Sequence, residues 1–336
     1  MTTYKEIFGK QIKNLSSDPP AAISEGQIWY NTSSNTFKST LAVAAWSSGG
    51  NLPQGVSYNS GAGTQTAALS IAGQQPSTSI ISNVYEYDGS SWTDSSAPVN
   101  AFYGGATPPQ SAQYIAATGI QTAALIVGGG EQTNVVAEYN GSAWTSGGSY
   151  PISQVSSSTA SGIQTAAINV GGYSPPPGYA PQVLTYNGSS WSVSPVAFPT
   201  PSVRLSSAGT TTALLVSGGT GSPGLVTIAQ EWNGSSWTTV GAPSAPKTDA
   251  KSTGVQTLAL KMHGTAGATE QYNGSSWTTV ANQANARTWA TGGGSNDSSG
   301  TTGIQFGGSI GGGGPTFTAA TEEFTTADTV RTLTSS

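Results

Sequence analysis

The chain has 336 residues, with 10 Lys and Arg against 15 Asp and Glu, one His, no Cys, 45 Gly, 19 Pro and a net charge of -5. No disulfide framework or cysteine-based zinc site is open to it, and one His leaves little for a histidine-based metal centre or for several acid–base roles. So few basic residues cannot build a surface that neutralises many phosphates, so no nucleic-acid partner is expected.

Residues 1–40 differ from the rest. They hold Lys5, Lys10, Lys13 and Lys38, four of the ten basic residues. The N-terminus lacks the continuous apolar stretch of a secretory signal, and no run in the chain approaches a membrane span, so a protein made and left in a cytosol is expected, without membrane insertion. The segment is too poor in apolar residues to form its own core. Tyr4, Ile7, Phe8, Ile12, Ile28, Trp29 and Tyr30 therefore read as anchors that a partner buries.

From residue 41 to 326 the sequence repeats. One segment reads GTQTAALSIAG from Gly63, GIQTAALIVGG from Gly119, GIQTAAINVGG from Gly162, GTTTALLVSGG from Gly209, GVQTLALKMHG from Gly254 and, more weakly, GIQFGGSIGG from Gly303. These glycines lie 56, 43, 47, 45 and 49 residues apart, and such a period decides the architecture. Five of the six are followed by a second segment, as in EYNGSAWT ending at Thr145 or TYNGSSWS ending at Ser192. The short apolar run closed by Gly-Gly suits a buried strand and is too short for a helix. Asn140-Gly141 and its counterparts predict a two-residue type I′ hairpin, which needs φ > 0 at both turn positions. With a strand before each Gln-Thr-Ala segment and one through each Trp, about four strands per unit follow, and no stretch carries a helical period. The prediction is an all-β, radially repeated fold, a six-bladed propeller. The last unit lacks its Trp segment, whereas AVAAWSSGGNLP carries Trp46 with no first segment before it. The strand through Trp46 is therefore expected to complete the last blade and hide two open edges. Residues 327–336 read as a tail.

The scaffold explains most of the chemistry-bearing residues. Trp92, Trp144, Trp191, Trp237 and Trp277 recur at one position and are expected to pack between blades. Glu86, Glu138, Glu231 and Glu323 each precede the repeat aromatic and read as one structural position. Asp94, Asp249 and Asp297 have no partner in the sequence, and His263 stands in place of a repeat glycine. No catalytic residue, metal site or cofactor is assigned. Binding is expected where the repeats disagree. Five residues before each first-segment glycine stand Tyr58, Tyr114, Ser157, Arg204, Asp249 and Ser298, on what should be the innermost strand near a channel mouth. The loops at 100–114 and 173–182 add Phe102, Tyr103, Tyr173 and Tyr179. With Tyr114 and Arg204 these are the predicted ligand-binding residues, because aromatic faces stack on sugar rings and Tyr adds a hydroxyl.

The order Gly128-Gly129, Tyr139, Trp144 resembles the kelch repeat of β-propellers, although the aromatic and the Trp are only five residues apart and a basic residue after the Trp is matched only by Arg204 and Arg287. SSDPPAAISEGQIWYNT, ending at Thr32, resembles the N-terminal region of structural and fibre proteins of tailed bacteriophages. The GIQTAAL and YNGSSWT units resemble kelch-like virion proteins of marine phages. These resemblances imply a virion surface protein, such as a tail fibre, head fibre or decoration protein. Residues 1–40 would dock on other virion proteins, and residues 41–326 would face the host and bind its surface glycan. Such a protein is made in the host cytoplasm and ends in the virion. The competing expectation is a propeller enzyme acting on host polysaccharide, which requires a non-repeated carboxylate or His cluster that the sequence does not offer.

Overall fold

The structure is a computed structural model and describes residues 12–20, 27–76, 79–102, 112–130, 134–152, 155–174, 178–244, 248–262, 267–293, 300–310 and 316–333. It is all-β and propeller-like, and among the described residues no helix is long and apolar enough to cross a membrane. The chain divides into two compact units, one of residues 1–45 with 325–336 and one of residues 46–324.

In the larger unit the strands form small antiparallel sheets in chain order. The second is representative: Ala116–Ile120, Ala123–Val127, Val136–Tyr139 and Trp144–Ser146. Four further four-stranded sheets repeat this pattern, starting at Ser60, Thr159, Ser206 and Lys251. A last sheet orders Thr291–Gly293, Thr302–Phe306, Thr321–Thr332 and then Thr36–Ser48. Buried clusters join the first sheet to the second and so on to the fifth, and the last to the first. Leu69 and Ile71 of the first pack with Ala124 and Ile126 of the second, and Ile304 and Phe306 of the last pack with Tyr87 and Trp92 of the first.

The strands expected before each Gln-Thr-Ala segment and in the apolar run after it are found: Ile120 pairs with Ala123 across Gln121-Thr122, the hairpin corner between Ala116–Ile120 and Ala123–Val127. Gly119 has φ +103°, and a Cβ there would lie 2.3 Å from the Ala123 carbonyl oxygen, which is why this corner takes glycine. One local expectation is corrected: the Asn-Gly turn is not type I′. Tyr139 pairs with Trp144, leaving four loop residues, and of Asn140 and Gly141 only the glycine has positive φ. Asn140 Oδ1 instead accepts the backbone N–H groups of Ser142 and Ala143, a side-chain turn that replaces the backbone one. Asp88 does the same with Ser90 and Ser91, and these hydrogen bonds hold its carboxyl down at about 2.

A second correction concerns the weak copy at Gly303. Thr291 pairs with Phe306 as Ala116 pairs with Val127. Gly303 therefore corresponds to Ala124, and Gly307-Gly308 correspond to Gly128-Gly129. The counterpart of Tyr114 is Trp289 and not Ser298, which lies outside the described residues.

Successive sheets are tied by a ladder of side chains. The Tyr139 hydroxyl donates to Glu86 of the preceding sheet at 2.8 Å, Tyr186 to Glu138 at 2.6 Å and Tyr272 to Glu231 at 3.0 Å. Tyr87 of the first sheet donates to Glu323 of the last at 2.6 Å. Where the acceptor is absent, so is the donor: Thr185 is followed by Trp232, and Gln271 by Phe324. Burial and the neighbouring carboxylate push the Tyr87 and Tyr139 phenols up to about 12. The repeat tryptophans also reach backward. Trp144 Nε1 donates to the Ala97 carbonyl, Trp277 to Gly241 and Trp92 to Thr321 Oγ1. Replacing Tyr139 by Phe is expected to lower the unfolding free energy by about 1.5 kcal/mol in urea denaturation, because a half-buried carboxylate loses a donor. Combined with Glu86→Gln, the two costs should fall short of additivity by about 1 kcal/mol. Strict additivity would mean that the bond contributes nothing.

The smaller unit departs from a leader without structure of its own. Lys13–Leu15 runs parallel to Ile28–Asn31, which pairs antiparallel with Thr36–Ser39. Trp29, expected to await a partner, is 2% exposed. Asp18 accepts Asn31 Nδ2 at 2.7 Å and Trp29 Nε1 at 3.0 Å, which lowers its pKa. Tyr30 is half-buried against Phe37, with ring centroids 5.1 Å apart, and Ile12 is exposed. Tyr4, Ile7 and Phe8 lie outside the described residues. Residues 327–332, expected as a tail, continue the strand Thr321–Thr332, with Lys38 Nζ donating to Thr332 Oγ1.

Candidate functional site

Each repeat begins with one residue in the left-handed backbone region. These are Tyr58, Tyr114, Ser157, Arg204, Asp249 and Trp289, with φ between 53° and 58°. A left-handed residue turns the chain sharply into the innermost strand, and a β-branched side chain would be strained there. The backbone at this position is also shared between repeats. Tyr58 N–H donates to the Trp289 carbonyl, Tyr114 to Tyr58, Ser157 to Tyr114 and Arg204 to Ser157, at 2.8 to 3.3 Å. The backbone here is thus scaffold, while the side chains are free to differ.

All six line one cavity of about 50 Å³, together with Lys251 from the start of a neighbouring inner strand. Its wall is aromatic on one side. Tyr58 stacks on Trp289 with ring centroids 4.8 Å apart and packs against Tyr114 at 4.7 Å. The other side is charged. Arg204 lies 3.6 Å from the Asp249 carboxylate and 6.0 Å from the Tyr114 ring centroid. Burial raises the Asp249 pKa, opposed by Arg204 and Lys251, and lowers that of Lys251, opposed by Asp249. Burial also pushes the Tyr58 phenol up, helped by Tyr114.

Tyr114, Ser157 and Arg204 also border a second, larger cleft of about 500 Å³ that includes Gln113, Tyr173 and Tyr179. Tyr173 and Tyr179 face each other as a register pair of a two-stranded hairpin. Four predicted ligand-binding residues, Tyr114, Tyr173, Tyr179 and Arg204, therefore meet at one cleft. Phe102 does not: it packs, half-buried, against the apolar cluster between the first and second sheets. Tyr103 and His263 lie outside the described residues.

No protein-family model matches the chain, and no curated protein does. Among solved structures it is similar to the structure of YjhT, with 13% identity, a TM-score of 0.62, and coverage of 84% of this chain and 99% of that one. At that identity the likeness shows the fold alone. Together with the small antiparallel sheets it supports a β-propeller fold.

Sequence reasoning missed Trp289 and Lys251. Trp289 is hidden because the connection after Thr291–Gly293 is longer than in the other repeats, so counting back from a glycine fails. Aligning Gly307-Gly308 on the other Gly-Gly pairs exposes the shift. Lys251 gives no motif; only its place beside Asp249 on an inner strand brings it to the cavity.

Proposed function

We propose that the chain is a virion surface protein of a tailed bacteriophage, with a six-bladed propeller that displays an axial glycan-binding site. The observation that carries the binding role is the ring of left-handed residues. A backbone position repeated around the fold holds side chains that do not repeat, and three of them form a joined aromatic wall. Loops and turns set on a rigid scaffold suit recognition. The count of six is supported by the bond from Tyr87 to Glu323 and by Gln65 donating to the Phe324 carbonyl, which link the last sheet to the first. It is also supported by the sheet order that places the strand Thr36–Ser48 beside Thr321–Thr332. The virion assignment rests on the resemblance of residues 16–32 and of the repeats to phage proteins. In this reading the N-terminal unit docks on another virion protein, with exposed Ile12, Ile28, Phe37 and Leu41 as its apolar contacts.

A binding role is favoured over catalysis because the one carboxylate in the cavity, Asp249, is already paired with Arg204. Screening the purified chain on an array of bacterial surface glycans should give at least one ligand. Tyr114→Ala should weaken it tenfold or more, since stacking of an aromatic face on the sugar is lost, and Trp289→Ala should weaken it less, since the Tyr58 ring that packs against Tyr114 loses its own stack. Binding by both variants at the level of the unaltered chain overturns the axial site. Mass spectrometry of purified virions should find the chain as a structural component, and its absence overturns the virion role.

A further inference from the structure

Lys251 lines two cavities at once. On one side is the axial cavity with Arg204, Asp249 and the aromatic wall; on the other is a narrower one of about 30 Å³ lined by Ser60, Ser158, Ser206, Ser207 and Ser252. Among the described residues its ammonium makes no hydrogen bond and no ion pair within 4.0 Å, whereas Arg204 is paired with Asp249. Ser252 lines the same narrow cavity, and its hydroxyl is buried without a hydrogen-bond partner among the described residues. Lys251 is half-buried, whereas the Ser252 hydroxyl is a buried group without an acceptor, which is costly, so both are open to an added acceptor. The local balance is two cations against one carboxylate in a chain whose net charge is -5. The axial cavity of about 50 Å³ holds only a few water-sized groups. That is room for a substituent and not for a sugar ring, for which the adjoining cleft of about 500 Å³ is large enough.

We propose that the neck at Lys251 seats a single anionic substituent of a sugar, a carboxylate or a sulfate ester, while the ring itself lies in the larger cleft against Tyr114. This rests on the glycan-binding reading of the same site and narrows it to acidic polysaccharide. The selectivity comes from the seat: a neutral sugar leaves the ammonium unpaired, so the site discriminates by what it fails to satisfy.

The test titrates the full chain with two probe pairs by calorimetry. One is an oligogalacturonate and its carboxyl-reduced neutral counterpart; the other is a sulfated galactan oligosaccharide and its desulfated counterpart. At least one acidic member should bind tenfold or more tightly than its neutral twin, and the pair that shows this identifies the substituent. Lys251→Met should bring the acidic ligand down to the neutral level and leave the neutral ligand unchanged. Added salt should weaken only the acidic one. A parallel thermal melt with inorganic sulfate should stabilise the unaltered chain and not Lys251→Met. Equal binding of acidic and neutral twins overturns the seat and leaves the glycan reading standing. Stabilisation by sulfate without binding of any oligosaccharide keeps the seat and overturns the glycan reading. Failure of both overturns both.

Discussion

Trp46→Ala should lower the unfolding free energy of the unit formed by residues 46–324 by about 3 kcal/mol, near the lower end for removing a packed Trp. The indole donates to Thr269 Oγ1 at 3.0 Å and to the Ala281 carbonyl at 3.1 Å, and its ring meets Phe324 edge-on with centroids 5.4 Å apart. Its strand, Thr36–Ser48, is the neighbour of Thr321–Thr332 and comes from the opposite end of the chain. Trp46 therefore joins three segments that are far apart in sequence. Loss of that join also exposes a strand edge, which favours association between chains. Urea denaturation checks the energy, and light scattering checks the association. Trp277→Ala is the comparison: its Nε1 makes the equivalent bond to Gly241 within the chain-ordered sheets, so it should cost stability without freeing an edge. A Trp46→Ala chain that unfolds at the same urea concentration as the unaltered one would show that the N-terminal strand closes nothing.

The second large effect is a dependence of stability on pH. Lys261 is fully buried on the strand Leu258–Met262, paired in register with Glu270, with its Nζ donating to Ser217 Oγ at 3.0 Å and lying 5.9 Å from the Trp277 ring centroid. Burial pushes its pKa down to about 7, with Glu270 opposing. In the unfolded chain the same amine holds its proton up to about 10.4. Between those values unfolding takes up a proton, so raising the pH favours the folded state. Lys251, also lowered by burial, acts in the same direction. Between about pH 7.5 and 9.5 the unfolding free energy should rise by on the order of 1 kcal/mol per pH unit. Lys261→Met should remove most of that slope. The window ends there because the folded tyrosines, several pushed up by burial, ionise later than unfolded ones and reverse the trend above about pH 10. An unchanged slope in Lys261→Met would assign the dependence to other groups.

The repeat makes the fold class legible. Gly-Gly, the aromatic and the Trp recur because each fills one backbone or packing role in every sheet. What misleads is local. Asn140 suggests a backbone turn when its side chain makes the turn, and Gly303 matches the other repeats by letters when its strand partner is Thr291–Gly293. The site is half legible for the same reason. Tyr58, Tyr114, Ser157, Arg204 and Asp249 stand at a fixed distance from a repeat glycine, so spacing alone puts them on one ring. Trp289 and Lys251 depend on loop length and on which strand lies beside the axis, neither of which the spacing contains. Trp29 defeats a reading by apolar content because its indole N–H finds a partner within the segment itself, the Asp18 carboxylate, which no apolar count registers.

The Tyr–Glu ladder bears on how this chain can diverge. Because Thr185 is met by Trp232 and Gln271 by Phe324, donors and acceptors have been exchanged together and never singly. The repeats are therefore not interchangeable parts. Moving the chain ends to another loop keeps every neighbour and every bond, whereas transposing the second and third repeats sets Glu138 against the Trp232 indole and leaves the Tyr139 hydroxyl facing Thr185 without its acceptor. Order around the ring is written in pairs of residues, one on each side of every join.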